Sequence, residues 1–203
     1  MKARNRRQRF LSHPVEECLV WLLFLVPAAS EWWAARAGEL GAHPVTQAEK
    51  DLGLWAFRFL LLTLAITPLR RYARIDLMKW RRVAGLLAFT YALMHVSVYV
   101  VGERKADLAG IVHDLANRLF LPFGLAAFLI LLALAVTSQQ FSMKLLGRRW
   151  RILHRGIYAA AILVTVHDLL GHKHWLGAPL VYAFIACGLV AMRSVRRPPV
   201  RLL

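Results

Sequence analysis

The stretch WRILHRGIYAAAILVTVHDLLGHKHW, Trp150 to Trp175, decides how the rest of the chain is read. Arg151 and Arg155 crowd its start, and Gly156 to Val166 then run without a charge. An apolar segment fenced by arginine at one end and by Gly171 at the other has the pattern of a helix that crosses a bilayer. Spanning about 30 Å of hydrocarbon takes about 20 helical residues. The same stretch holds four of the chain's eight histidines, and ionisable side chains are costly in lipid unless they have a task. His154 and His167 stand near its two ends, while His172 and His174 lie beyond Gly171.

Five more apolar runs lie outward from this one. The full set is Cys18–Ala35, Leu52–Leu69, Val83–Val101, Leu119–Val136, Ile152–Leu170 and Leu176–Met192. Each must be helical, because unpaired backbone in lipid is too costly, and the alternating strands of a barrel are absent. The expectation is an all-α, polytopic, six-transmembrane-helix bundle forming one domain over residues 1–203. Composition agrees: 59% of the residues are hydrophobic, against about 45–50% in soluble domains.

The formal charge of +16 sits in short clusters between the apolar runs. That distribution speaks for membrane topology and against nucleic acid. The N-terminal tail, residues 70–82, residues 138–155 and the C-terminal tail carry 20 Lys and Arg and three acids. The other three loops carry six Lys and Arg and eight acids. This asymmetry places both termini in the cytoplasm. Trp32, Trp33, Trp80, Trp150 and Trp175 fall near run ends, where interfacial aromatics belong. The first run has no A-x-A-like cleavage site followed by a soluble domain, so it reads as a retained helix. No C-x-x-C-H is present, which excludes covalent c-type haem, and no C-x-x-C suggests zinc or an iron–sulfur cluster. Cys18 and Cys187 read as packing residues. Neither G-x-G-x-x-G nor a P-loop appears, so no nucleotide site is expected.

Intramembrane ionisable residues carry the functional signal. His95 lies 13 residues after Arg82 on the third run, and His167 lies 12 after Arg155 on the fifth. Both runs travel outward, so the two histidines share a depth in the outer half. Two neutral imidazoles facing each other across a bundle are what a six-coordinate haem iron needs, although a lone membrane histidine also serves as an interhelical hydrogen-bonding group. His154 sits at the cytoplasmic boundary, 13 residues before His167. That is about 20 Å along a helix, and about 220° around an ideal one, so a kink or separate approaches would be required for both to bind iron. Arg58 has two readings, snorkelling to the interface or neutralising a haem propionate. Arg81 also has two, a topology-setting charge or an unusual partner for an inner haem, because helix three offers no histidine at that level. His43, His113, His172 and His174 read as loop histidines, with His113 in a stretch, LAGIVHDLANRLF, expected as a short amphipathic helix in the outer loop. Pro68 is expected to end the second helix.

The segments GELGAHPV, FRFLLLTLAITPLRRYAR, RRVAGLLAFTYALMHVSVY, LALAVTSQQ and LGRRWRILHRGIYAAAILVTVHDL together resemble the YedZ/MsrQ family, within the wider ferric-reductase-like transmembrane superfamily. The resemblance covers about residues 18 to 195. It implies a membrane electron-transfer subunit of the bacterial inner membrane, not itself the catalyst, that carries one or two b-type haems, with His95, His154 and His167 at the ligand positions. It also implies an association with FMN, and electrons drawn from the quinone pool or by way of a flavin. The implied acceptor is a periplasmic molybdopterin methionine-sulfoxide reductase that repairs oxidised envelope proteins. His43 stands where relatives carry Asp. A single histidine on helix three, where the larger oxidases have two, leaves an inner haem open. The flavin and nicotinamide domains of those oxidases are absent, so a self-sufficient NADPH oxidase is not expected. Two alternatives remain: a cytochrome for another acceptor such as ferric iron, or a non-redox haem-binding or transport protein.

Overall fold

A computed structural model describes residues 14–172 and 176–194. The charge clusters of both tails, with His174 and Trp175, lie outside the described residues. Every regular element described is helical. The order is α1 (Pro14–Ala37), α2 (Pro44–Pro68), α3 (Arg81–Ser97), α4 (Leu108–Asn117), α5 (Phe120–Val136), α6 (Gln140–Leu146), α7 (Arg148–Leu153), α8 (Gly156–Gly171) and α9 (Ala178–Ser194).

Among the described residues, four helical segments are long and apolar enough to cross a membrane: Val15–Ala37, Pro44–Ala73, Met78–Glu103 and Arg148–Gly171. A fifth is reached if α4 and α5, bent by 111° at their junction, are taken as one span. The sixth expected run corresponds to the shorter apolar helix Ala178–Met192. The protein is thus all-α and polytopic.

Helix α2 is the axis of the bundle. It packs along α3 and also touches α1, α8 and α9. Leu60, Leu64 and Ile66 on α2, with Leu87 and Tyr91 on α3, are the largest fully buried side chains. The second strong pairing is α5 with α8, and α3 meets α5 between the two pairs. Small residues allow these approaches: Ala88, Ala160 and Ala161 are completely buried, and close backbone contact is the main source of cohesion between helices in lipid. Large apolar side chains face outward instead, as Leu19, Leu22, Leu23 and Val26 do along α1. In water such a face would be a liability, but against acyl chains it is the expected surface. Cys18 and Cys187 also lie exposed on the helix surface, not packed inside.

Pro44 starts α2 at a position whose N–H needs no partner. Pro68 does not end it. The helix continues through a π-helical turn, Leu69–Ala73, and stops at Arg74, whose φ is 59°. Proline removes one donor and crowds the turn before it, and a membrane helix tolerates this where local adjustments satisfy the freed groups; the π-helical turn follows on the C-terminal side. Helix α3 is likewise extended by a π-helical segment, Val98–Glu103. The expected amphipathic segment after the third run is α4. It exposes Leu108 and Val112, and it is anchored by Asp114, which pairs with Arg104 and Arg118 and accepts from Tyr99 Oη at 2.8 Å.

Candidate functional site

His95 sits near the end of α3 and His167 near the end of α8, so both lie at the same end of the bundle. Each ring reaches back to the first turns of the neighbouring helix. His95 Nδ1 lies 2.8 Å from the carbonyl oxygen of Glu49 on α2. His167 Nδ1 lies 2.9 Å from the carbonyl oxygen of Phe120 on α5. A carbonyl only accepts, so in each neutral ring the proton is on Nδ1 and the Nε2 lone pair is free. The two ring centroids stand 6.2 Å apart with their planes at 81°. An imidazole nitrogen binds a transition-metal ion at about 2 Å, which sets two rings on opposite sides of one ion roughly 6 Å apart between centroids.

The ring spacing and the carbonyl contacts at both Nδ1 atoms would suit two imidazoles that hold one haem iron. Among the described residues, no group of three or more His, Cys, Asp or Glu gathers to hold a bare metal ion. A haem iron takes only axial ligands from the protein. Two imidazoles without a third protein ligand would suit a haem, which brings the remaining iron ligands itself. The packing also fits, because Gly53 on α2 and Gly124 on α5 are the residues the two rings lie against.

The opposite end of the bundle is built differently. His154 occupies the break between α7 and α8, where the helix is interrupted at His154–Arg155. His154 and Arg155 both keep right-handed helical backbone angles, and α7 and α8 together make the single span Arg148–Gly171. The ring of His154 stacks on Trp150 at 4.0 Å, and its Nδ1 lies 3.2 Å from the Trp150 carbonyl. Trp150 Nε1 in turn donates to the Thr137 carbonyl at 2.9 Å, closing the end of α5. Arg81 is near enough for its charge to act on His154.

Arg58 is held elsewhere. Its Nε donates to Tyr182 Oη on α9 at 2.8 Å, and its guanidinium lies 4.7 Å from the Trp55 ring centroid. Five residues, about 7.5 Å of helix rise, separate it from Gly53. Among the loop histidines, His43 precedes α2, the His113 carbonyl accepts from Asn117 Nδ2, and His172 lies exposed beside Asp168. Sequence reading missed Gly53, Gly124, Tyr91 and Tyr182. The glycines did leave a signal, since a lone glycine inside a strongly helical run has a packing or functional reason.

Comparison with known proteins places these features. Residues 52–165 match the family model described as ferric reductase like transmembrane component. Proteins from Brucella ovis, Brucella canis and Brucella suis, each named protein-methionine-sulfoxide reductase heme-binding subunit MsrQ, are 42% identical over 180 residues. Each alignment covers 87% of this chain and 82% of the relative. No solved structure matches the chain.

Proposed function

The chain belongs to the ferric-reductase-like transmembrane family, among its MsrQ-type subunits, and on that premise we propose that it is the haem-binding electron-transfer subunit of a periplasmic methionine-sulfoxide reductase system. It is a multi-pass inner-membrane protein. The proposal extends to six spans in one domain over residues 1–203, with both termini in the cytoplasm. The four basic segments and the interfacial tryptophans support that topology.

The observation that carries the reading is the His95–His167 pair, 6.2 Å apart, with both Nδ1 atoms held by backbone carbonyls. Haem b, when bound, supplies reversible one-electron chemistry. His95 and His167 would hold it through Nε2. The Glu49 and Phe120 carbonyls fix the ring orientation and raise the basicity of each imidazole. Arg58, pinned by Tyr182, contributes a fixed positive charge to the cofactor's surroundings. His154 and Arg81 form the inner counterpart, where a second haem would be held. Electrons enter from quinol or a flavin on the inner side. They leave from the His95–His167 end to a docked molybdopterin enzyme, in which sulfoxide reduction takes place.

A reduced-minus-oxidised spectrum of the purified protein, with haem-to-protein stoichiometry, tests this. A b-type α-band is expected, and His95→Ala or His167→Ala should remove most of the low-spin signal. His154→Ala should leave it, and should lower the stoichiometry from two to one if the inner site holds haem. Retention of the full signal in both His95→Ala and His167→Ala sinks the pair as ligands.

A further inference from the structure

The two histidines meet their neighbouring helices in the same way. His95 Nδ1 contacts the Glu49 carbonyl, and a Cβ placed on Gly53, four residues on, would lie 3.0 Å from Nδ1 and 3.2 Å from Cε1 of the ring. His167 Nδ1 contacts the Phe120 carbonyl, and a Cβ on Gly124, again four residues on, would lie 2.6 Å from Nδ1 and 2.7 Å from Cε1. In a helix the carbonyl of residue i points at residue i+4, whose Cβ leans back toward it. The side chain at i+4 is therefore the one that would cover that carbonyl.

Glycine is the poorest helix former after proline, so two in early turns of membrane helices call for a cause. The usual cause is close approach of another backbone. Here the nearest atoms belong to the imidazoles themselves. We infer that Gly53 and Gly124 are paired positioning residues. Each bares one main-chain carbonyl, so that a histidine from the next helix can lie against it, keep its proton on Nδ1 and turn Nε2 toward the other histidine. This rests on the bis-histidine reading above.

The two positions differ in tightness. At 2.6 Å, Gly124→Ala cannot be accommodated unless the His167 ring leaves its place. At 3.0 Å, Gly53→Ala asks the His95 ring to give a few tenths of an ångström. Gly85, on α3, is a natural control, because a Cβ there meets Thr63 Cγ2 at an ordinary 3.7 Å.

The experiment purifies full-length G53A, G124A and G85A from haem-replete membranes. It reads haem-to-protein ratio, the ferric low-spin electron paramagnetic resonance spectrum and the midpoint potential. G124A should retain haem about tenfold or more weakly, the order lost when an outer partner of a metal-bound histidine is removed. G53A should keep haem with shifted g-values and potential, and G85A should match the unaltered protein. If G53A and G124A both match G85A in all three readouts, the inference is overturned. Should G124A fail to accumulate, G53A against G85A decides alone, and unshifted g-values and potential in G53A overturn it. H95A and H167A run alongside. If they keep the low-spin signal, the bis-histidine reading itself has failed. If they lose it while the glycine variants are unaffected, only the glycine inference has.

Discussion

Tyr91→Phe tests how the ligand-bearing helix α3 is held. Tyr91 is completely buried, one turn before His95. Its hydroxyl accepts from the Ala28 N–H at 3.2 Å and donates to the Phe24 carbonyl at 2.7 Å. Those are the two groups of α1 that an unbent helix joins to each other. Pro27 lies between them in the chain and cannot donate. If α1 could close its own turn after the hydroxyl is removed, the cost would be that of one interhelical bond, about 0.6 kcal/mol on average in membranes. If it cannot, an amide and a carbonyl lose a partner away from water, about 1–3 kcal/mol each. Proline favours the second case, because its ring crowds the preceding carbonyl and keeps the turn open. The expected loss is therefore roughly 2–6 kcal/mol. In a Pro27→Ala background, the same change should cost about 1 kcal/mol or less. A double-mutant cycle, read by helix content as SDS is titrated into mixed micelles, measures the coupling. A cost of about 0.5 kcal/mol or less in the unaltered background, or an equal cost in both backgrounds, would refute the reasoning.

Two further outcomes are expected. Burial alone would raise the Asp114 carboxyl, but the Tyr99 hydroxyl and the Arg104 and Arg118 guanidiniums outweigh it and hold the group below the usual carboxylate range. Its contribution to anchoring α4 is therefore fully present above the ordinary Asp value of about 3.9, and is lost as pH falls through the lowered value. Amide protection across Leu108–Asn117, corrected for the intrinsic pH dependence of exchange, should stay level from neutral pH to about pH 4 and fall below it; a fall already complete by pH 5, unchanged in Asp114→Asn, would count against this anchor. Arg58→Met should lower the haem midpoint potential, because a fixed cation favours the reduced form. One unit charge at roughly 12 Å through an effective dielectric of about 20 is worth about 1.4 kcal/mol, or about 60 mV for one electron. Potentiometric titration that finds no shift would assign Arg58 to the α2–α9 contact through Tyr182 alone.

Much of the site was legible in one dimension. His95 and His167 could be paired before any coordinates, because two basic boundaries, Arg82 and Arg155, act as rulers that start both helices at the same depth. The amphipathic segment at α4 was legible for a similar reason, since its apolar residues recur at helical spacing. Arg58 was only half legible. Its depth could be counted, but Tyr182 is 124 residues away, and no local pattern announces that meeting. Pro68 misled, because a proline inside a membrane span costs one hydrogen bond without having to end the helix. Cys18 and Cys187 misled because an apolar run does not say which of its faces meets lipid.

The sequence by itself determined that the chain is a helical, polytopic membrane protein and that His95 and His167 lie toward the same end of it. Those properties follow from hydrocarbon thickness, helix rise and charge asymmetry, and all three are local or additive along the chain. Only the tertiary structure decided that α3 lies against α2 and α8 against α5. From that pairing come the two carbonyls that hold the imidazoles, the two glycines that make room for them, and the 6.2 Å between the rings. Such contacts depend on helix rotation and neighbour choice, which packing of small residues settles across the bundle and which no spacing along the chain encodes.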